Sequence, residues 1–406
     1  MAPPLGSRYY RSMDPTVADW LNLSLRWIHL IAGIFWIGSS FYFIWLDNHL
    51  TVPERPKEGV EGELWMVHSG GFYQVERRRI GPGQMPKTLH WFKWEAAITW
   101  ISGILLLSLV YYLTGGVYLV DPAVSGIGAG RATALGIGLL VGSWLVYDLL
   151  WQSRLGRDGK GQPATAISFV LVAGVVYGLC QVLSGRAAYM HVGAMLGTLM
   201  VANVWLRILP AQQQMIDATA AGREPDFTLS AYAKRRSVHN SYMTFPVLFI
   251  MLSNHYPATY GHKLNWLVLY LLILVGAGVR HVMIARQGSG NWVLAPVAAA
   301  LVTLFFLTAP VRTQATTGDQ VSFAAVRAVI NQRCVPCHSA YPSDPTFGAA
   351  PAGVSFDTPE SVKQWAERIN VRAVISETMP LANKTAMTRE ERALLGRWIE
   401  AGARLK

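Results

Sequence analysis

The sequence is short of charge. Of its 406 residues only 15% are Asp, Glu, Lys or Arg, while 52% are hydrophobic. Soluble domains carry about a quarter charged residues, so this balance points to a membrane protein. Cysteine is scarce too: Cys180, Cys334 and Cys337 are the three present, too few for a disulfide framework. No segment recurs at a fixed period, which excludes a solenoid and gives no support to a transporter built of two repeated halves. Gly126-Ile127-Gly128 stands in no phosphate-binding context. A cleavable signal pattern is also missing. Residues 1–20 are polar, with Pro3, Pro4, Asp14, Pro15 and Asp19. The apolar run from Leu21 has no small-residue cleavage site behind it and reads as a retained anchor.

What the sequence does have is long apolar runs. A bilayer-spanning helix needs about 20 mostly apolar residues. Eight runs qualify, at roughly Leu21–Leu46, Glu95–Tyr118, Ala132–Trp151, Ala164–Leu183, Ala187–Leu209, Val238–Leu252, Leu264–Ile284 and Trp292–Ala309. The sixth is the shortest and contains Pro246. Trp and Tyr gather at many ends, as interfacial belts require. The net charge of +11 is unevenly placed. Alternate loops carry Arg55, Lys57, Arg77, Arg78, Arg79, Lys87 and Lys93; then Arg154, Arg157 and Lys160; then Arg223, Lys234, Arg235 and Arg236; then Arg286. The opposite loops carry only Arg131, Arg186 and Lys263. The positive-inside rule makes the basic set cytoplasmic and turns both termini outward. The charge therefore marks one side of a bilayer and calls for no nucleic acid.

The last quarter of the chain is different in kind. Arg333-Cys334-Val335-Pro336-Cys337-His338 contains Cys-x-x-Cys-His, the attachment signature of a c-type haem. Cys334 and Cys337 would bond the porphyrin and His338 would ligate iron. Met379, 41 positions after His338 and followed by Pro380, is placed to be the second axial ligand, a pair that raises the potential and suits electron transfer. A zinc half-site or a redox dithiol are the other uses of two cysteines at this spacing. The first lacks a second ligand pair and the second lacks a βαβ pattern. Val326–Ile330 predicts a short helix before the motif. Thr388 to Ile399 predicts a closing helix, with Thr388 and Glu391 as capping box and Leu394, Leu395, Trp398 and Ile399 as apolar stripe. The segment resembles the class I cytochrome c domain. The expected organisation is all-α: an eight-span domain over residues 1–310, a polar linker over 311–320, and a cytochrome c over 321–406. Haem attachment outside the cytoplasmic membrane puts that last domain in the periplasm, in agreement with the charge pattern, and the whole in a bacterial inner membrane.

Ionisable groups at membrane depth are costly and usually functional. His29 and His191 fall on the outer halves of the first and fifth spans. They predict a pair of ligands for haem b or another metal, or else helix-to-helix hydrogen bonds. A second group falls on the cytoplasmic side: His68-Ser69-Gly70-Gly71-Phe72-Tyr73, His90-Trp91-Phe92-Lys93-Trp94-Glu95, His239-Asn240 and Arg280-His281. Aromatics, histidines and cations on one face suit a flat, anionic, nitrogen-rich ligand; the plainer reading is an interfacial belt.

These same stretches, with Arg26-Trp27-Ile28-His29, Phe35 to Tyr42 and Ala202-Asn203-Val204-Trp205, resemble the bacterial membrane-bound urate hydroxylases, over essentially the whole chain. The resemblance implies oxidation of urate by water to 5-hydroxyisourate. Electrons would leave through haem c to a soluble cytochrome or a terminal oxidase. His68 or His90 would be the base, with Lys93 and Glu95 beside them. The competing class is a quinol-linked electron-transfer subunit with no substrate of its own.

Overall fold

The computed structural model describes residues 15–55, 57–157, 161–285, 290–309 and 321–405. The expected linker, with Arg286 and Lys160, lies outside the described residues.

The chain is mostly helical. Helix α1 (Pro15–His49) is followed by a hairpin of β1 (Val60–His68) and β2 (Gly71–Arg78). Then come α2 (Trp94–Leu107), α3 (Ala129–Gln152), the short α4 (Arg154–Arg157), α5 (Gln162–Val182) and α6 (Gly185–Asn203). Next are α7 (Leu209–Ala220), α8 (Phe227–Ser253), the short α9 (Pro257–Tyr260), α10 (Asn265–Ile284) and α11 (Leu294–Thr308). The C-terminal segment has α12 (Phe323–Arg333), α13 (Pro359–Gln364), α14 (Ala366–Ile369) and α15 (Arg389–Glu400).

Seven described helices are long and apolar enough to cross a membrane: Thr16–His49, Trp94–Tyr112, Ala129–Gln152, Gln162–Val182, Gly185–Ala220, Asn265–Ile284 and Asn291–Thr308. The expected sixth span lies within α8, 27 residues long. It is long enough but polar, with Arg236, Asn240, Ser241 and Thr244 buried against its neighbours.

Helix α6 forms the centre. Tyr189, His191, Ala187, Ala188 and Val192 on it are fully buried. Its small residues explain the position: a side chain on Gly193 would lie 2.6 Å from Ile250 of α8, so the two helices approach at backbone distance. Ser184 caps α6 by accepting a hydrogen bond from the Ala187 amide at 3.2 Å. Beyond Asn203 the helix continues through a π turn, Val204–Ile208, into α7. Pro210 has no N–H to give the carbonyl four residues back and its ring crowds it; the widened turn, closed by the Leu209 amide on the Val204 carbonyl, accommodates this.

The all-helical expectation is corrected at one place. The stretch around His68 is strand, turn and strand. Ser69 and Gly70 have φ of 48° and 77°, the signs that a tight two-residue hairpin turn needs at both central positions. Gly70 supplies the second without strain. The hairpin's cations are paired on its surface: Arg77 and Arg79 with Glu61, Arg78 and Lys57 with Glu76.

A second core belongs to the C-terminal segment. Val326 and Ile330 of α12 meet Leu395, Trp398 and Ile399 of α15, with Phe356, Val362 and Met387 closing it. The capping box of α15 is formed as expected, Thr388 accepting from the Glu391 amide at 3.3 Å and Glu391 from the Thr388 amide at 2.7 Å.

Candidate functional site

Three groups of chemically able side chains are set along the fold, one in the C-terminal segment and one near each end of the helical domain.

In the C-terminal segment α12 ends at Arg333 and the chain turns at once. The Cys334 carbonyl accepts from the amides of Cys337 at 3.1 Å and His338 at 2.8 Å, so Cys334, Cys337 and His338 share one turn. The His338 Nδ1–H donates to the Val354 carbonyl at 3.0 Å. That bond fixes the tautomer and leaves Nε2 as a free donor to iron. Met379 is half-buried against the same core, its amide on the Arg372 carbonyl at 2.9 Å and its carbonyl on Arg392 Nη1 at 2.7 Å. Arg333 holds the two walls together, bonding Glu391 at 3.0 Å and the Thr385 carbonyl at 2.5 Å. Burial pushes the Cys334 thiol up to about 12 and the Cys337 thiol up to about 11, opposite to the low value of a reactive dithiol. Among the described residues no three His, Cys, Asp or Glu side chains converge, as zinc would need. The donor set fits a c-type haem.

At the adjoining end of the helical domain, His29 Nδ1 lies 2.8 Å from the Thr99 carbonyl and 3.1 Å from Ser102 Oγ on α2, its ring against Gly103. His191, fully buried, donates from Nδ1 to the Ala187 carbonyl at 2.8 Å, and its Nε2 accepts from Tyr112 Oη at 2.9 Å. His29 packs on α2, whereas His191 packs on Gly136 of α3 and on Tyr111 and Tyr112 beyond the end of α2. Among the described residues nothing bonds His29 Nε2, while His191 has both nitrogens engaged.

This end meets the C-terminal segment. Arg372 Nη1 donates to Tyr260 Oη of α9 at 2.6 Å. A side chain on Gly261 would lie 2.6 Å from Thr378 Cγ2 and 2.8 Å from the Ser376 carbonyl. The loop bearing Met379 therefore rests on α9, and Tyr260 in turn packs edge-on against Tyr189 at 6.4 Å.

The far end carries the basic loops. Here Trp91, Lys93, Trp205, Leu209, Pro210 and Gln213 line a cleft of about 280 Å³. The Lys93 ammonium lies 5.6 Å from the Trp91 ring centre, 5.8 Å from Trp94 and 5.9 Å from Trp205, within cation–π range of all three. Lys93 has no carboxylate partner among the described residues. The Trp205 indole N–H is buried without a hydrogen-bond partner among the described residues. Glu95 stands in the first turn of α2, where its charge suits the helix dipole. His90 is exposed, and His68 stands exposed at the hairpin tip. Neither histidine makes a hydrogen bond within the described residues, and neither lines the cleft that Lys93 shares with Trp91 and Trp205.

Beside the cleft is a buried polar network; the sequence singles out its His239, Asn240 and Asn203 but not the Asp148–Arg236 centre. Asp148 of α3 is bonded by Arg207 and, at 3.0 Å, by Arg236 Nη2. Arg236 is 1% exposed and stacks on Tyr147 and Tyr232. Asn203 Nδ2 donates to Tyr147 Oη at 3.0 Å and to Asn240 Oδ1 at 2.9 Å, and Tyr147 Oη lies 2.7 Å from His239 Nδ1. Arg236, counted among the loop charges, belongs instead to a buried helix face. Arg280 is likewise 1% exposed, over the Phe41 ring at 3.9 Å.

Comparison with curated proteins and with solved structures found no match. A family model described as urate oxidase N-terminal matches residues 15–310. That match takes in the hairpin, the cleft, the buried network and both membrane histidines, well over half of the chain, which thus belongs to the urate oxidase N-terminal family.

Proposed function

We propose that the chain is a membrane-bound urate hydroxylase in which residues 1–310 oxidise urate and residues 321–406 carry electrons away. The observation that supports it best is the joining, in one chain, of a urate-oxidase family domain to a Cys-x-x-Cys-His turn with His338 oriented for iron. The reaction is urate plus water giving 5-hydroxyisourate, two protons and two electrons. Cys334 and Cys337 would hold haem c covalently and His338 and Met379 would ligate its iron; the group would supply a one-electron acceptor of raised potential. The protein's own groups do the rest. Lys93 neutralises the urate monoanion. Glu95, two residues from Lys93 along the chain, or His90, one from Trp91, takes the ring proton and passes it to bulk water, to which His90 is open; His68, at the hairpin tip, does not line the cleft. Arg372 and Tyr260 hold the acceptor domain against the membrane domain.

The membrane domain makes eight spans when α8 is counted with the seven apolar helices. Basic loops lie in the cytoplasm; both termini and the cytochrome lie in the periplasm of a bacterial inner membrane. A soluble cytochrome or terminal oxidase takes the electrons onward. From Trp205 to His191 is 14 residues of helix, about 20 Å at 1.5 Å per residue. Of the two histidines expected to hold haem b or another metal, His29 would offer Nε2, whereas His191 spends both nitrogens on Ala187 and Tyr112, so the pair as folded does not fit that group and no step is assigned to it.

One observation favours a second reading. An apolar groove of about 430 Å³ runs beside Phe35, Gly38, Ser39, Tyr42, Phe43 and Phe92, and a quinol-linked electron-transfer subunit would use it. Turnover in ¹⁸O-labelled water separates the two. A urate hydroxylase incorporates one labelled oxygen into its product and releases no peroxide. Peroxide in proportion to urate consumed, or no urate consumption at all, overturns the proposal.

A further inference from the structure

The proposed function needs a place for urate, and neither the family match nor the axial haem chemistry supplies one. The cleft between the Trp91–Lys93 loop and the π turn has what such a ligand needs. Its wall is flat: Trp91 and Trp205 are indoles, which bind planar rings by their faces. Its charge is single. Lys93 is tied to no carboxylate, and the nearby Arg207 is held by Asp148, so the cleft offers one positive charge to one negative charge. A phosphate-bearing ligand would ask for more.

Its hydrogen-bond capacity is mixed. Among the described residues the Trp205 N–H is a buried donor with nothing to accept from it, a state that costs about 1–3 kcal/mol; a turn of the indole on ligand entry would bring it to a ligand carbonyl. Gln213 has its amide nitrogen on Asp217 at 2.8 Å, which leaves its carbonyl oxygen to accept a ring N–H. At about 280 Å³ the cleft lies just under the roughly 300–1,000 Å³ of drug-sized sites, a size for two fused rings. The π turn is what makes the constellation, since it re-aims Trp205 out of the helix register toward Lys93; π turns recur at functional sites for this reason.

We infer that this cleft binds the oxopurine monoanion, with Lys93 opposite its charge, Trp91 and Trp205 on its faces, Trp205 N–H donating to a carbonyl and Gln213 accepting from a ring N–H. The inference rests on the urate reading above and adds the residues that would recognise it.

The test is binding without turnover. Full-length holoprotein in lipid nanodiscs, its haem reduced beforehand with ascorbate, is dialysed to equilibrium against radiolabelled urate. Lys93→Met should weaken binding at least about tenfold, the loss of one charge-assisted contact, and Lys93→Arg should restore most of it. Trp205→Phe keeps the ring and removes the N–H, and should weaken binding several-fold. Lys87→Met, an exposed lysine outside the cleft, should bind as the unaltered protein does. Normal haem content and melting temperature show that each variant has folded. If the unaltered protein binds urate and both Lys93→Met and Trp205→Phe bind it equally well, the cleft is overturned as the site while the urate reading stands. If the unaltered protein binds no urate, both fall together.

Discussion

Asp148 shows what a single residue can carry here. It lies between Arg207 and Arg236, a carboxylate shared by two guanidiniums in a packed helical domain. Removing one member of a buried ion pair leaves the other uncompensated, at about 3–5 kcal/mol. Asp148→Ala strands two cations, whereas Arg236→Met leaves Asp148 paired with Arg207. Thermal unfolding in detergent should therefore show a much larger loss for Asp148→Ala than for Arg236→Met; equal losses would mean the network is not organised on the carboxylate. None of this was legible beforehand. Arg236 follows Lys234 and Arg235, and a run of three cations at a helix end reads as a solvated loop. Only the fold turns the third inward. Cys334, Cys337, His338 and Met379 are the opposite case. Their spacing names the residues, while the tight turn and the His338–Val354 bond that hold them are features of the fold.

At the scale of elements, periodicity was readable and irregularity was not. The apolar runs became helices, and the Thr388–Glu391 box starts α15 where it was placed. The hairpin was read as a loop because Gly70-Gly71 among aromatics looks like a ligand-binding stretch; positive φ at Ser69 and Gly70 is a property of the turn that no composition reveals. The π turn before Pro210 has no such signal either, and Gln213 goes with it; Trp205 stands in a family motif that gives it no role. The closing helix carries a pH prediction. Burial pushes the Glu391 carboxyl up, but the Arg333 hydrogen bonds, the Thr388 amide and the Arg333 charge outweigh it and hold it below the ordinary value of 4.5. A carboxyl depressed by folding stabilises above its unfolded pKa, and that contribution is lost as pH falls through the folded one. The melting difference between the unaltered protein and Glu391→Gln should be full at pH 7 and shrink as the pH falls below 4.5. A difference that persists in acid would show that the carboxylate's charge is not what stabilises α15.

For the whole molecule, the change of composition was legible: apolar runs up to Thr308, then a polar segment with the Cys-x-x-Cys-His motif. The contact between the parts was not. It depends on Gly261 having no side chain and on Arg372 reaching Tyr260, and neither residue stands in a motif. Gly261→Val should wedge the Met379 loop off α9, and Arg372→Gln should loosen it. Both should keep a normal haem spectrum and normal reduction by ascorbate while haem reduction by urate slows several-fold in stopped flow. Unchanged rates in both variants would free the account from this contact.

The central claim is that urate electrons reach the C-terminal haem of the same chain, and one measurement meets it directly. Urate is added without oxygen to the oxidised, detergent-solubilised holoprotein and the c-type absorption bands are recorded. The account predicts that urate reduces the haem and that xanthine and a quinol do not. No change with urate, and rapid reduction by a quinol, would contradict it and make the chain an electron-transfer subunit.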